Sequence, residues 1–137
     1  MSETDTIALI RRYIDAFNAG DRDAMLACLS DDVAHDINQG ERQIGKDKFR
    51  WFLGMMDRHY RERLDDVAVM VGEGGGRAAA EFTVHGTYLS TAEGLPEASG
   101  QTYSLPAAIL FDVDDGLISR VTTYYNLADW TAQVGKG

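Results

Sequence analysis

The sequence predicts an α+β domain. Apolar residues recur every three or four positions up to Tyr60 and every second position from Leu64 onward, and turn-forming clusters separate the segments of both regimes. At 137 residues the chain has the length of one core, since chains tend to split into domains beyond about 100 to 200 residues, so residues 1–137 are read as a single domain.

Ile7, Ile10, Ile14 and Phe17, with Ala8 and Tyr13 beside them, form the stripe of an amphipathic helix over Thr6 to Asn18, and Asn18-Ala19-Gly20 supplies its stop. Asp21 can cap a second, short helix over Arg22 to Leu29, which Ser30-Asp31-Asp32 ends. Val33 to Asn38 reads as a short strand, followed by the turn Gln39-Gly40-Glu41. Beyond Gly45, the residues Phe49, Phe52, Leu53, Met56 and Tyr60 give a third helix. Four strands follow: Leu64 to Val71, Arg77 to Tyr88, Gln101 to Val113 and Leu117 to Asn126. Gly72 to Gly76, the loop Ser90 to Gly100 and Asp114-Asp115-Gly116 separate them. Asn126 can cap a final helix over Leu127 to Gln133. This order implies an antiparallel meander with the helices gathered on one face of a curved sheet.

Composition narrows the partners. With 22 acidic against 13 basic residues the net charge is −9, which repels phosphate backbones and anionic lipid, so neither nucleic acid nor membrane is expected. The acidic opening MSETDTIALI does not read as a signal peptide and no run reaches the roughly 18 apolar residues of a membrane span; the expected location is the cytoplasm. Cys28 is the single cysteine and sits among Met25, Leu26 and Leu29, as a buried thiol would. No two of the three histidines share metal-ligand spacing, so no metal and no cofactor is expected. On the strand Gln101 to Val113 both faces are largely apolar, where a half-solvated strand would alternate. A second copy of the sheet is the expected cover, which predicts a homodimer through the outer sheet face.

RRYIDAFNAGDRDAMLACLSDDV on the first two helices, EFTVHG on a strand and the hairpin FDVDDGLISRVTTYY resemble the ketosteroid isomerase and SnoaL-like branch of the NTF2-like superfamily, over Ile7 to Tyr125. The resemblance implies a cone of three N-terminal helices on a strongly curved, mostly antiparallel sheet enclosing an apolar pocket. It also implies a chemistry in which an aspartate takes a proton beside a ketone while a tyrosine and a protonated aspartic acid hold the resulting oxyanion.

Carried over residue by residue, the oxyanion tyrosine is Tyr13, in frame with Asn18, Gly20 and Asp21 of a YxxxxNxGD motif. The acidic donor falls on Ala108, counted from Pro106, so that donor is missing unless Ser104 or Thr123 replaces it. The base depends on where one missing residue lies between Asp32 and Gly45. A deletion in the turn puts Ile37 at the base position, and a deletion before Asp36 puts Asp36 there. The polar stripe Ala34, Asp36, Asn38 on one strand face favours Asp36 as base, with Asn38 orienting a water or substrate oxygen and His35 on the opposite face. Phe17, Phe52, Met56, Phe82, Val84, Leu110 and Tyr125 are the expected pocket walls, with Trp51 near the mouth. Alternation should send His85 away from the pocket, toward the dimer seam, while the resemblance to dehydratases of this fold that work through histidines keeps it as a candidate acid or base; His59 should lie on the surface. The Ser90 to Gly100 loop is either a lid or a plain turn.

The function expected from these residues is cofactor-free acid–base chemistry on a small apolar carbonyl compound: isomerisation, cyclisation or dehydration. A non-catalytic binding module of the same fold is the alternative, since one fold carries both.

Overall fold

Ser2 and Asp5 close a capping box that starts α1 (Glu3–Ala19), and Gly20, in the left-handed region at φ 72°, returns its N–H to Ala16 and Phe17 and ends it. The computed structural model describes residues 2–37 and 40–135. The buried stripe of α1 runs through Leu9, Ile10, Tyr13 and Ile14, with Ile7 left 39 % exposed beside it. The Asp21 carboxylate accepts from the Ala24 N–H and opens α2 (Arg22–Ala27). This helix stops before Leu29, because Leu29 already belongs to β1 (Leu29–Ile37), where it pairs with Ile118.

A two-residue strand, β2 (Gln43–Ile44), precedes α3 (Lys46–His59). The meander consists of β3 (Tyr60–Val71), β4 (Arg77–Tyr88), β5 (Thr102–Asp114) and β6 (Leu117–Tyr125). Asn126 caps α4 (Leu127–Val134) by accepting from the Asp129 N–H. Among the described residues six strands form one sheet in the order β2-β1-β6-β5-β4-β3.

Besides the earlier start of β1 and the added β2, two further features depart from the sequence expectation. Tyr60 opens β3 instead of closing α3, so the strand starts four residues before the expected Leu64. β1 lies parallel to β6, the one parallel pairing among the described residues, which places a strand from the first third of the chain beside the last one.

The sheet wraps its inner face around α1 and α3, and the core between them is built from residues such as Leu9, Ile10, Phe49, Phe111, Ile118 and Val121. The Asn18 side chain ties α1 to β3 twice: Nδ2 donates to the Leu64 carbonyl at 3.0 Å and Oδ1 accepts from the Leu64 N–H at 2.8 Å. No helix among the described residues is long and apolar enough to cross a membrane.

Candidate active site

Strand register decides which side chains share the interior. Across the sheet, His35 lies beside Val121, then Phe111 and Ala78, while Ile37 lies beside Thr123, then Ile109 and Ala80. Both rows are on the inner face. Asp36 belongs to the row Thr122, Leu110, Ala79, Met70, whose last member is 50 % exposed on the outer face.

The inner face, α1, α3, α4 and the 90–100 loop enclose a cavity of about 510 Å³, within the range of small-molecule sites. Its walls are overwhelmingly apolar. Tyr13, Phe17, Phe52, Met56, Phe82, Val84, Thr123 and Tyr125 line it. Trp51 stands at the rim, 64 % exposed, and Ala92, Glu93 and Leu95 of the 90–100 loop close one side.

Four expected members are elsewhere. The Asp36 carboxylate lies on the outer face, held by Arg42 through a two-pronged contact at 2.7 and 2.9 Å and by the Thr122 hydroxyl at 2.9 Å. Arg42 first, then Thr122 and the Arg120 charge, pull its pKa down to about 2 against partial desolvation. It is a structural ion-pair partner outside the cavity. Leu110 and Ala108 sit on the same outer face because β5 alternates, so the inward position beside the predicted acidic donor is Ala107. Ser104 also points outward, and Gln133 of α4 brackets its backbone on the side of β5 that β6 leaves unpaired. Asn38 lies outside the described residues.

His35, read as outward, faces the cavity and is 4 % exposed, its ring 4.4 Å from Phe49 and 4.5 Å from Phe52 between centroids. Desolvation lowers its pKa to about 4, so the imidazole is neutral at pH 7. His85 points outward as expected, toward Asp65 at 3.3 Å. His59, read as surface, stands at the cavity mouth with Nδ1 3.0 Å from the Ser90 carbonyl.

Tyr13 is 3 % exposed and packs edge-on to Phe111 at 5.6 Å. Among the described residues nothing hydrogen-bonds its hydroxyl, which is left to the cavity. Desolvation raises the phenol well above its ordinary range, so it stays a donor at every physiological pH.

The feature that sequence reading missed is Glu62. Its carboxyl opens onto the cavity and accepts from the Tyr103 hydroxyl at 2.6 Å. Desolvation raises the Glu62 pKa, against the Tyr103 hydrogen bond and the Arg22 charge, which favour the carboxylate. Tyr103 itself is pushed up by burial and by the Glu62 charge, against hydrogen bonding from Trp130. Tyr60 and Tyr125, both raised chiefly by burial, complete the polar end of the cavity. The alternation Tyr60, Glu62, Leu64 against Arg61 and Arg63 was present in the sequence. It was hidden by reading Tyr60 as the end of a helix.

A carboxyl whose pKa burial raises, with a phenol unbonded among the described residues in the same apolar cavity, can exchange a proton with a bound molecule and stabilise negative charge on it. Comparison with known proteins agrees with this architecture. A profile of the SnoaL-like domain matches residues 10–121. The structure is similar to that of a candidate polyketide cyclase from Pseudomonas putida KT2440 (59 % identity, 98 % of each chain covered, TM-score 0.93). A candidate polyketide cyclase from Xanthomonas campestris pv. campestris is similar too (54 % identity, 96 % of this chain and 98 % of that one, TM-score 0.93). An LEH-like epoxide hydrolase of M. tuberculosis shares the fold (19 % identity, 98 % of this chain and 92 % of that one, TM-score 0.72). No functionally curated protein matches the chain.

Proposed function

The chain belongs to the SnoaL-like family and has its NTF2-like fold, and we propose that it is an acid–base enzyme of the isomerase or cyclase type acting on a small, neutral, apolar carbonyl compound. The observation that carries this reading is the Glu62 carboxyl, held by Tyr103 at 2.6 Å inside an otherwise apolar cavity. The relatives described as candidate polyketide cyclases favour ring closure of a compound with several ketones.

In the proposed reaction the Glu62 carboxylate removes a proton from the carbon next to a carbonyl. The C–H electron pair becomes the new C–C π bond and the carbonyl oxygen gains the negative charge. Tyr13, itself 3 % exposed, donates a hydrogen bond to that oxygen against largely apolar walls, where such a bond is strong. Where a C=C bond adjoins that carbon, the anion extends over it as a dienolate and its far carbon takes the proton from Glu62, which is isomerisation; where a second carbonyl is within reach in the same molecule, the enolate carbon attacks it. In the second case the new alkoxide takes the Glu62 proton and the carboxylate is restored.

Two features of the cavity support the substrate class. Among the described residues no lysine or arginine lines it, so a carboxylate or phosphate would meet Glu62 and Glu93 without a counter-ion. The walls offer aromatic and aliphatic surface suited to a flat, apolar body.

The test is turnover of a simple β,γ-unsaturated ketone and of a 1,5-diketone without added cofactor, followed by absorbance and by product analysis. Glu62→Gln is expected to lower kcat/KM by about 10²- to 10⁴-fold, and Tyr13→Phe by about 10²- to 10³-fold. A Glu62→Gln protein with wild-type turnover refutes the assignment. Tight binding of such ketones with no turnover in any variant assigns the cavity to ligand storage instead.

A further inference from the structure

Glu62, Gly86 and Tyr103 form one row across three adjacent strands: Glu62 is the register partner of Gly86, and Gly86 of Tyr103. Adjacent strands lie about 4.8 Å apart, so two residues separated by an intervening strand are roughly 10 Å apart at their backbones. Side chains standing upright from such positions do not share a short hydrogen bond. Glu62 and Tyr103 nevertheless meet at 2.6 Å. They do so because the Tyr103 ring leans over β4, across the one residue of the row that has no side chain.

Glycine inside a strand usually marks a bulge, an unusual backbone angle or a close approach. The first two do not apply to Gly86. The pairing of β4 with β5 runs without a register shift from Arg77 to Thr87, and the irregularity between β3 and β4 lies at Asp65 to Ala68. Gly86 is absent from the positive-φ glycines of the described chain. The close approach is direct: a Cβ placed on Gly86 would meet Cζ, Cε2 and Oη of Tyr103, all nearer than the 3.0 Å that real Cβ atoms keep.

We propose that Gly86 is a positioning residue for the acid–base pair, keeping open the slot across β4 through which the Tyr103 hydroxyl reaches Glu62. This rests on the reading of Glu62 as the base. With alanine at position 86 the methyl group displaces the ring, and Glu62 loses its phenol donor. The groups then left facing the carboxyl are Tyr60 of β3, Tyr125 of β6 and the Arg22 charge of α2.

The experiment titrates Glu62 directly, by carbon NMR of carboxyl-labelled glutamate assigned with Glu62→Gln, in wild type, Gly86→Ala, Tyr103→Ala and the double variant. Gly86→Ala is expected to raise the Glu62 midpoint by roughly one pH unit, as the loss of a hydrogen bond to the charged form does. The acid limb of kcat should move with it, so turnover falls about tenfold below the new midpoint and recovers above it. KM should change little. In the Tyr103→Ala background, Gly86→Ala should have no further effect on the midpoint. If Gly86→Ala does not fold alone, folding of the double variant, with Tyr103→Ala giving the raised midpoint, supports the slot. An unmoved midpoint in folded Gly86→Ala overturns the proposal. A shifted midpoint with no turnover in any variant upholds the role of Gly86 and overturns the enzymatic reading of Glu62.

Discussion

The neutral imidazole of His35 has a price in acid. Its folded pKa of about 4 lies below the 6.5 of an ordinary histidine because the ring is desolvated between Phe49 and Phe52. Between those two values the unfolded chain binds a proton that the folded chain does not. His35 therefore contributes stability that is complete above pH 6.5, falls as pH drops through the window to about 4, and changes no further below it. The span corresponds to about 3 kcal/mol for this 4 %-exposed residue. Urea unfolding of wild type and His35→Leu from pH 7 to 4 should show this slope in wild type and a flatter profile in the variant. Parallel profiles would refute it. Asp36 acts in a separate window: its pKa is lowered, so its ion pair with Arg42 stabilises above about 3.8 and is lost as pH falls toward 2. The alternation of a strand separated these two neighbours in the sequence, and the structure keeps them on opposite faces. Which face is inside is not encoded in a period of two. It follows from pairing with β6, where Val121 and Thr123 point inward beside His35 and Ile37, and that pairing spans 86 positions for Asp36 and Thr122.

Among elements, the 90–100 loop shows how a long connection is kept over a cavity. The Tyr88 hydroxyl, on a fully buried ring, donates to the Pro96 carbonyl at 2.7 Å and accepts from the Ala92 N–H at 2.9 Å, so one side chain holds both arms of the loop. Its ring stacks on Tyr60 and meets Trp130 edge-on, which links the loop to β3 and α4. Tyr88→Phe keeps the packing and removes both bonds. It is expected to cost about 1 to 3 kcal/mol and to speed hydrogen exchange at Ala92 by at least tenfold, measured by mass spectrometry or NMR. Unchanged exchange would show that the loop is held by other contacts. Element order and type were legible because the two apolar periods are distinct in this chain. The boundary at Tyr60 was not, since Tyr60 continues the helical spacing of Phe52, Leu53 and Met56 while also starting the alternation Tyr60, Glu62, Leu64. A residue that satisfies both periods gives no local signal, and the segment Arg61-Glu62-Arg63 is too charged to look like a strand. The base candidate was lost at that boundary.

For the whole molecule, the expected homodimer is a proposal about the outer sheet face. That face carries Met70 at 50 % and Tyr124 at 46 % exposure, with Ala79, Ala108 and Leu110 between them and the Asp36, Arg42, Asp112, Arg120 ion pairs along one side. Sedimentation should give about twice 15.1 kDa, and Leu110→Arg should shift it toward the single-chain mass. A concentration-independent single-chain mass in wild type would refute the proposal. A last consequence belongs to Asn18, whose two bonds fasten the backbone of Leu64. The strand it fastens is the edge of the sheet, with β4 on one side only, and its neighbours along the chain alternate Arg61, Glu62, Arg63. A slip of one residue exchanges the faces of a strand, and here it would replace a carboxyl with a guanidinium in the cavity. By fixing one peptide unit, an asparagine at the end of the first helix helps to set the sign of the charge that faces the cavity.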